Sequence, residues 1–63
     1  GRRVVGIEVK ATATPTAQHA RHLAYVRDRL GDRFTIGVVL HAGRHTIQLG
    51  DRLVAAPIST LWA

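Results

Sequence analysis

The stretch Val4-Val5-Gly6-Ile7-Glu8-Val9-Lys10 constrains this chain most. Val5, Ile7 and Val9 alternate with Gly6, Glu8 and Lys10, the period-two pattern of a pleated strand. Side chains two apart on a strand share a face, so Glu8 and Lys10 stand about 7 Å apart on one side. Strand interiors are depleted of Glu and Lys. The pair therefore calls for compensation by a metal ion, a phosphate, each other, or water at a sheet edge.

The remaining elements follow from breakers and periodicity. Thr14 is disfavoured in a helix because it precedes Pro15, and Pro15 is tolerated in a first helical turn. Thr14 or Thr16 is the candidate N-cap. Ala20, Leu23, Ala24, Arg27 and Leu30 then recur at helical spacing up to Gly31, the expected C-cap. Arg21, His22, Tyr25, Asp28 and Arg29 fall on the outer face. Phe34 to His41 is a near-continuous apolar run, expected to be a strand covered on both faces. Strand, helix and strand in succession make a β-α-β unit with parallel strands. Ala42-Gly43-Arg44 reads as a turn, His45 to Leu49 as a third strand antiparallel to the second, and Arg52 to Ala56 as a fourth. Pro57 ends it, and Ile58 to Trp62 is expected to be a helical turn that packs Leu61 and Trp62 on the sheet. The fold class is α/β: a small mixed sheet with one β-α-β crossover helix and a C-terminal hairpin.

Sixty-three residues make at most one small domain, and no cysteine is available for a disulfide or a thiolate-bound zinc. The sequence shows neither a transmembrane run nor a signal peptide, so a cytoplasmic protein without a membrane partner is expected. Nine basic side chains, eight of them Arg, stand against four acidic ones for a net charge of +5. Such a balance permits contact with DNA without establishing it. Arg21, Arg29 and Arg33 are the candidate nucleic-acid-binding residues. The wider set with Arg44 and Arg52 also fits a solvated face.

Glu8-x-Lys10 on a strand followed by a helix is half of a metal-dependent nuclease site. Carboxylates would hold Mg²⁺, a hard cation that prefers oxygen ligands. A lysine would orient the attacking water and stabilise developing phosphoryl charge. Glu8 and Lys10 are the candidate catalytic residues and Glu8 the candidate metal ligand. A second acidic residue is needed, and none precedes Glu8; Asp28, Asp32 and Asp51 fall on the helix, its end and a distal turn. The competing reading is an ion pair on an exposed sheet face. His19 with His22, and His41 with His45, have spacings that can bind zinc, but no acidic or Cys partner accompanies them, so exposed polar positions are expected. Trp62 is read as a core plug.

Five blocks also carry a family resemblance. They are Gly6-Ile7-Glu8-Val9-Lys10-Ala11, Leu30-Gly31-Asp32-Arg33-Phe34, Gly37-Val38-Val39-Leu40, Leu49-Gly50-Asp51-Arg52-Leu53 and Pro57-Ile58-Ser59-Thr60-Leu61-Trp62. Together they resemble domain of unknown function 4143, the C-terminal domain of prokaryotic AAA-type ATP-binding proteins, and the first block resembles the active strand of PD-(D/E)xK nuclease-like folds. The resemblance implies a fragment of a restriction-endonuclease-like core, with Glu8 and Lys10 at the site positions and the missing Asp on a strand before Gly1. It implies an ATPase domain in the parent chain. No phosphate-binding G-x-x-x-x-G-K-[ST] occurs here, so this chain is not expected to bind ATP by that route. The helical Gln-x-x-x-Tyr of some nuclease relatives is only half met, since His22 follows Gln18 at that spacing and Tyr25 is out of register.

Residues 1–63 are accordingly expected to form a nuclease-like C-terminal module that is inactive in isolation. Mg²⁺ would be held in the intact parent and not tightly by this chain. The alternative is a non-catalytic module that binds DNA, the parent's ATPase domain or a second copy through the exposed first strand.

Overall fold

The predicted first strand forms as β1 (Val4–Val9). The computed structural model describes residues 2–62. Thr16 is the N-cap, and its N–H donates to His19 Nδ1 at 2.9 Å, a capping-box arrangement with His in the usual place of Glu or Gln. The first turn, Ala17–Ala20, is 3₁₀, a common entry to an α-helix, and the α-helix proper is α1 (Arg21–Leu30). Gly31 ends it with φ +58, donating its N–H to the Arg27 carbonyl. A short 3₁₀ turn, Gly31–Arg33, leads into β2 (Phe34–His41). Then come β3 (Ile47–Gly50), β4 (Leu53–Pro57) and a closing 3₁₀ turn, Ile58–Trp62.

The four strands form one mixed sheet in the order β1-β2-β4-β3. β1 runs parallel to β2, as the β-α-β pattern predicts, and β2 runs parallel to β4. The expected pairing of the third strand with the second is corrected: β3 is antiparallel to β4, and β4 takes the place beside β2. Composition accounts for the exchange. β4 is Leu-Val-Ala-Ala-Pro and fits the sheet interior, whereas β3 carries Gln48 and has Thr46 before it, which suits an edge.

α1 covers one face of the sheet. Ala20, Leu23, Phe34, Val39, Leu53 and Ala55 form the core, with Ala24, Val26, Leu30 and Leu49 packed against it. Gly6 and Gly37 are register partners on β1 and β2, and both lie beneath Leu23. Two adjacent strands thus lack side chains where the helix presses closest.

Two further expectations are corrected. The double cover expected of β2 is met only in part: Phe34, Gly37, Val39 and His41 are buried on the helix side, while on the other face Leu40 is buried and Ile36 and Val38 are half-buried. Leu61 does not pack on the sheet and is 63% exposed, because Pro57 ends β4 and Ile58 is the half-buried apolar residue of the closing turn. The packing expected of the Trp62 side chain lies outside the described residues.

The glycine floor generates a stability prediction. A Cβ on Gly37 would sit 2.9 Å from Phe34 Cζ, 3.0 Å from Leu53 Cδ2 and 3.2 Å from Leu23 Cβ. Gly37→Ala is expected to lower stability by about 1–3 kcal/mol through overpacking. Urea unfolding should show a lower midpoint at unchanged slope. An unshifted midpoint would mean that α1 lifts off the sheet freely.

Candidate functional site around Glu8

Glu8 and Lys10 lie on the same face, as the alternation predicts, and Lys10 Nζ reaches Glu8 Oε2 at 2.9 Å. The face is the helix-covered one. Gly6, which leads into it, is under Leu23, and His22 Nδ1 from the first turn of α1 lies 3.8 Å from the same Oε2. The ion pair of the competing reading is thus present, on the helix-covered face and not an open one: the Glu8 side chain retains 23% exposure and that of Lys10 36%. The residue after Lys10 leaves the sheet, but the Lys10 N–H still bonds the Leu40 carbonyl at 2.9 Å, so the lysine stem is held in strand register.

Lys10 holds the Glu8 carboxyl below its ordinary value, first by its hydrogen bond and then by its charge. His22 contributes in the same direction, and partial burial opposes both. The pair is a satisfied carboxylate at the rim of the α1–β1 contact. It does not fit Mg²⁺ on its own. One Oε of Glu8 is engaged by Lys10, and Mg²⁺ requires a near-octahedral set of oxygen ligands. Among the described residues no three His, Asp or Glu side chains come close enough to share a metal ion, and no concave pocket adjoins the pair. His22, expected on the outer face of the helix, is corrected: its ring stays largely exposed but reaches to 3.8 Å from Glu8 at the α1–β1 rim, an approach that the sequence pattern did not signal.

The other histidines have structural partners. His41 was expected at an exposed position and is 1% exposed. Gly43 donates its N–H to His41 Nδ1 at 2.9 Å, which makes Nε2 the protonated nitrogen, and Nε2 donates to the His45 carbonyl at 2.9 Å. The imidazole therefore closes the loop after β2, and neither nitrogen is left for a metal. His19 serves the helix cap.

The arginines are not equivalent. Arg3, Arg27, Arg33 and Arg52 donate to the carbonyls of Asp32, Asp51, Arg2 and, for Arg52, both Gly31 and Phe34. These five carbonyls cluster where α1 ends, β1 and β2 begin and the β3–β4 turn closes. Arg52 is the centre of the group: its φ is +57, its guanidinium is 2.9 Å and 2.6 Å from the two carbonyls, and it lies 5.8 Å from the centre of the Phe34 ring. Of the three candidate phosphate contacts, Arg33 therefore belongs to this strapping group. Arg21 and Arg29 remain exposed on α1, where Arg29 lies 5.9 Å from the centre of the Tyr25 ring.

The most exposed apolar surface is on the opposite side of the sheet. Val5, Ile7 and Val9 are 55%, 63% and 61% exposed. They stand beside Ile36, Val38 and Leu40 of β2, and Val38 and Leu40 stand beside Val54 and Ala56 of β4. All eight residues are uncharged and apolar. Among the described residues β1 is also an edge strand with no neighbour on its outer side.

The family described as Domain of unknown function (DUF4143) matches residues 1–61, and the chain belongs to it. No curated protein and no solved structure matches the chain. Among the described residues no helix is long and apolar enough to cross a membrane.

The lowered Glu8 value fixes the sign of a pH effect. A carboxyl held below its ordinary 4.5 stabilises the fold in full above that pH, and the contribution is lost as pH falls through the folded-state value. Glu8→Gln is expected to cost about 0.2–1 kcal/mol at pH 7. The difference from wild type should shrink as the pH is taken below about 4.5 in urea titrations. A difference that does not change with pH would mean that the ion pair contributes nothing.

Proposed function

We infer that this domain is a non-catalytic docking module with a nuclease-like ancestry, carried by a prokaryotic ATP-binding protein of the AAA type. The single observation that carries the docking role is the uncharged apolar face of the sheet, widest open on edge strand β1. Parallel sheets occur almost only with both faces covered. Here β1, β2 and β4 are mutually parallel and α1 covers one face. The nuclease-like ancestry and the ATPase partner rest on the sequence blocks that resemble those families.

The occupant we assign to the face is a second copy of the domain. The face carries no charge, so two copies meet there without opposing like charges across the contact, and the unpaired β1 edge offers backbone groups to the same neighbour. Ile7 is at the centre of the exposed row. Analytical ultracentrifugation at tens of micromolar is expected to show a dimer or higher oligomer for the wild-type chain and a monomer for Ile7→Lys. A folded wild-type monomer at that concentration would remove the second copy as occupant and leave the parent's ATPase domain.

A second reading is favoured by one specific observation: the open edge of β1 runs beside Glu8. A strand added there could bring a second carboxylate to the Glu8–Lys10 pair, giving a Mg²⁺ site in the intact parent protein. For this chain the expected result is no measurable Mg²⁺-dependent cleavage of plasmid DNA. Cleavage that Glu8→Ala abolishes would replace the docking reading with the enzymatic one.

A further inference from the structure

The outer face of α1 carries a ridge that the docking role does not use. Arg21, Tyr25 and Arg29 follow at i, i+4 and i+8, so they line one stripe. The helix rises 1.5 Å per residue, which places the two arginines about 12 Å apart along the axis with Tyr25 midway. All three residues are exposed, Tyr25 at 63%. An exposed tyrosine of this kind contributes nothing to the core, which is built from Leu23, Ala24 and Leu30 on the other side of the helix.

The arginines of the ridge differ from the four that strap backbone carbonyls. Arg3, Arg27, Arg33 and Arg52 are fixed on backbone carbonyls. Arg21 and Arg29 make no hydrogen bond to the described residues, and Arg29 rests over the Tyr25 ring. The ridge therefore offers an aromatic ring with one face left open beside Arg29, and a guanidinium one turn to either side that is not hydrogen-bonded within the described residues, on a chain of net charge +5.

We propose that this ridge binds single-stranded nucleic acid, one base stacking on Tyr25 and the flanking phosphates pairing with Arg21 and Arg29. The single strand is chosen over the duplex by chemistry. A tyrosine on a convex helix face can stack only on a base whose own face is open, and base faces are closed inside a duplex. Guanidinium groups on both sides of the ring give the backbone contact without reading sequence. Asp28 lies beside the ridge, but its carboxylate is held by Arg27 Nε at 3.0 Å, so its charge is met within the protein. The ridge and the apolar sheet face lie on opposite sides of the molecule, so neither reading depends on the other.

Fluorescence anisotropy at low salt tests it, with a labelled thymidylate homopolymer, the matching uridylate homopolymer and a duplex of equal length as probes. The expected result is tighter binding of the single strands than of the duplex. Tyr25→Ala is expected to weaken single-strand binding about 5-fold or more, and Tyr25→Phe, which keeps the ring, to leave it within about 2-fold. Arg21→Gln with Arg29→Gln should flatten the slope of log affinity against log salt by about 1.4. All three positions are exposed, so the variants should keep the wild-type circular dichroism. Equal affinity for duplex and single strand, or a Tyr25→Ala protein that binds as wild type, would overturn the proposal.

Discussion

The seat of Leu23 on Gly6 and Gly37 sets the geometry of the whole domain. Those two glycines are paired across β1 and β2, and together they leave a hollow in the sheet that a single leucine fills. Any larger residue at Gly37 meets Phe34, Leu53 and Leu23 at once. The helix is thereby held close to the sheet at one spot, with Phe34 and Leu53 walling the contact. Its neighbours in sequence then have determined positions. His22, one residue before Leu23, reaches the Glu8 carboxylate, while Tyr25, two residues after, points outward to solvent.

The same seat explains which parts of the fold could be read from the sequence. Alternation in Val4–Lys10 established a strand and put Glu8 with Lys10, but alternation does not say which row faces the helix. Hydrophobicity alone would bury Val5, Ile7 and Val9. The structure half-buries the row of Gly6, Glu8 and Lys10 instead, because a helix can approach a row that contains glycine and cannot approach an unbroken row of β-branched side chains so closely. The order of the strands was not legible for a related reason. Adjacent segments joined by a short turn suggest a hairpin, and the more apolar β4 displaces β3 from that place only when the interior of the sheet is considered as a whole.

The candidate site was legible as a pair and not as a set. Glu8 and Lys10 were identifiable from spacing, but the approach of His22 depends on how the helix sits. The arginines show the same limit more sharply. A count of charges treats eight guanidinium groups as equivalent, whereas half of them are consumed by backbone carbonyls that no sequence pattern displays. Arg52 illustrates the trade. A non-glycine residue at φ +57 is strained, at a cost on the order of 1 kcal/mol, and the bonds from its side chain to two carbonyls offset that cost. His41 was misread for a similar reason, since its partners are a backbone N–H and a backbone carbonyl in the loop it closes.

The energetics of the bare face favour some partners over others. Fully burying a Val or Ile side chain contributes about 1.5–3 kcal/mol. Val5, Ile7 and Val9 are each a little over half exposed, so covering all three yields about 3–5 kcal/mol. Bringing two free molecules together costs about 4–15 kcal/mol in lost translational and rotational freedom. One row of three residues is thus too little to hold an unrelated rigid partner that brings no apolar surface of its own. In a symmetric pair each copy contributes its row, which roughly doubles the gain and permits weak association. A partner joined covalently to the domain avoids most of the association cost, because its effective concentration is set by the linker. The face is therefore suited to contacts that are either self-complementary or tethered. Each would close the second side of a parallel sheet that α1 leaves half covered.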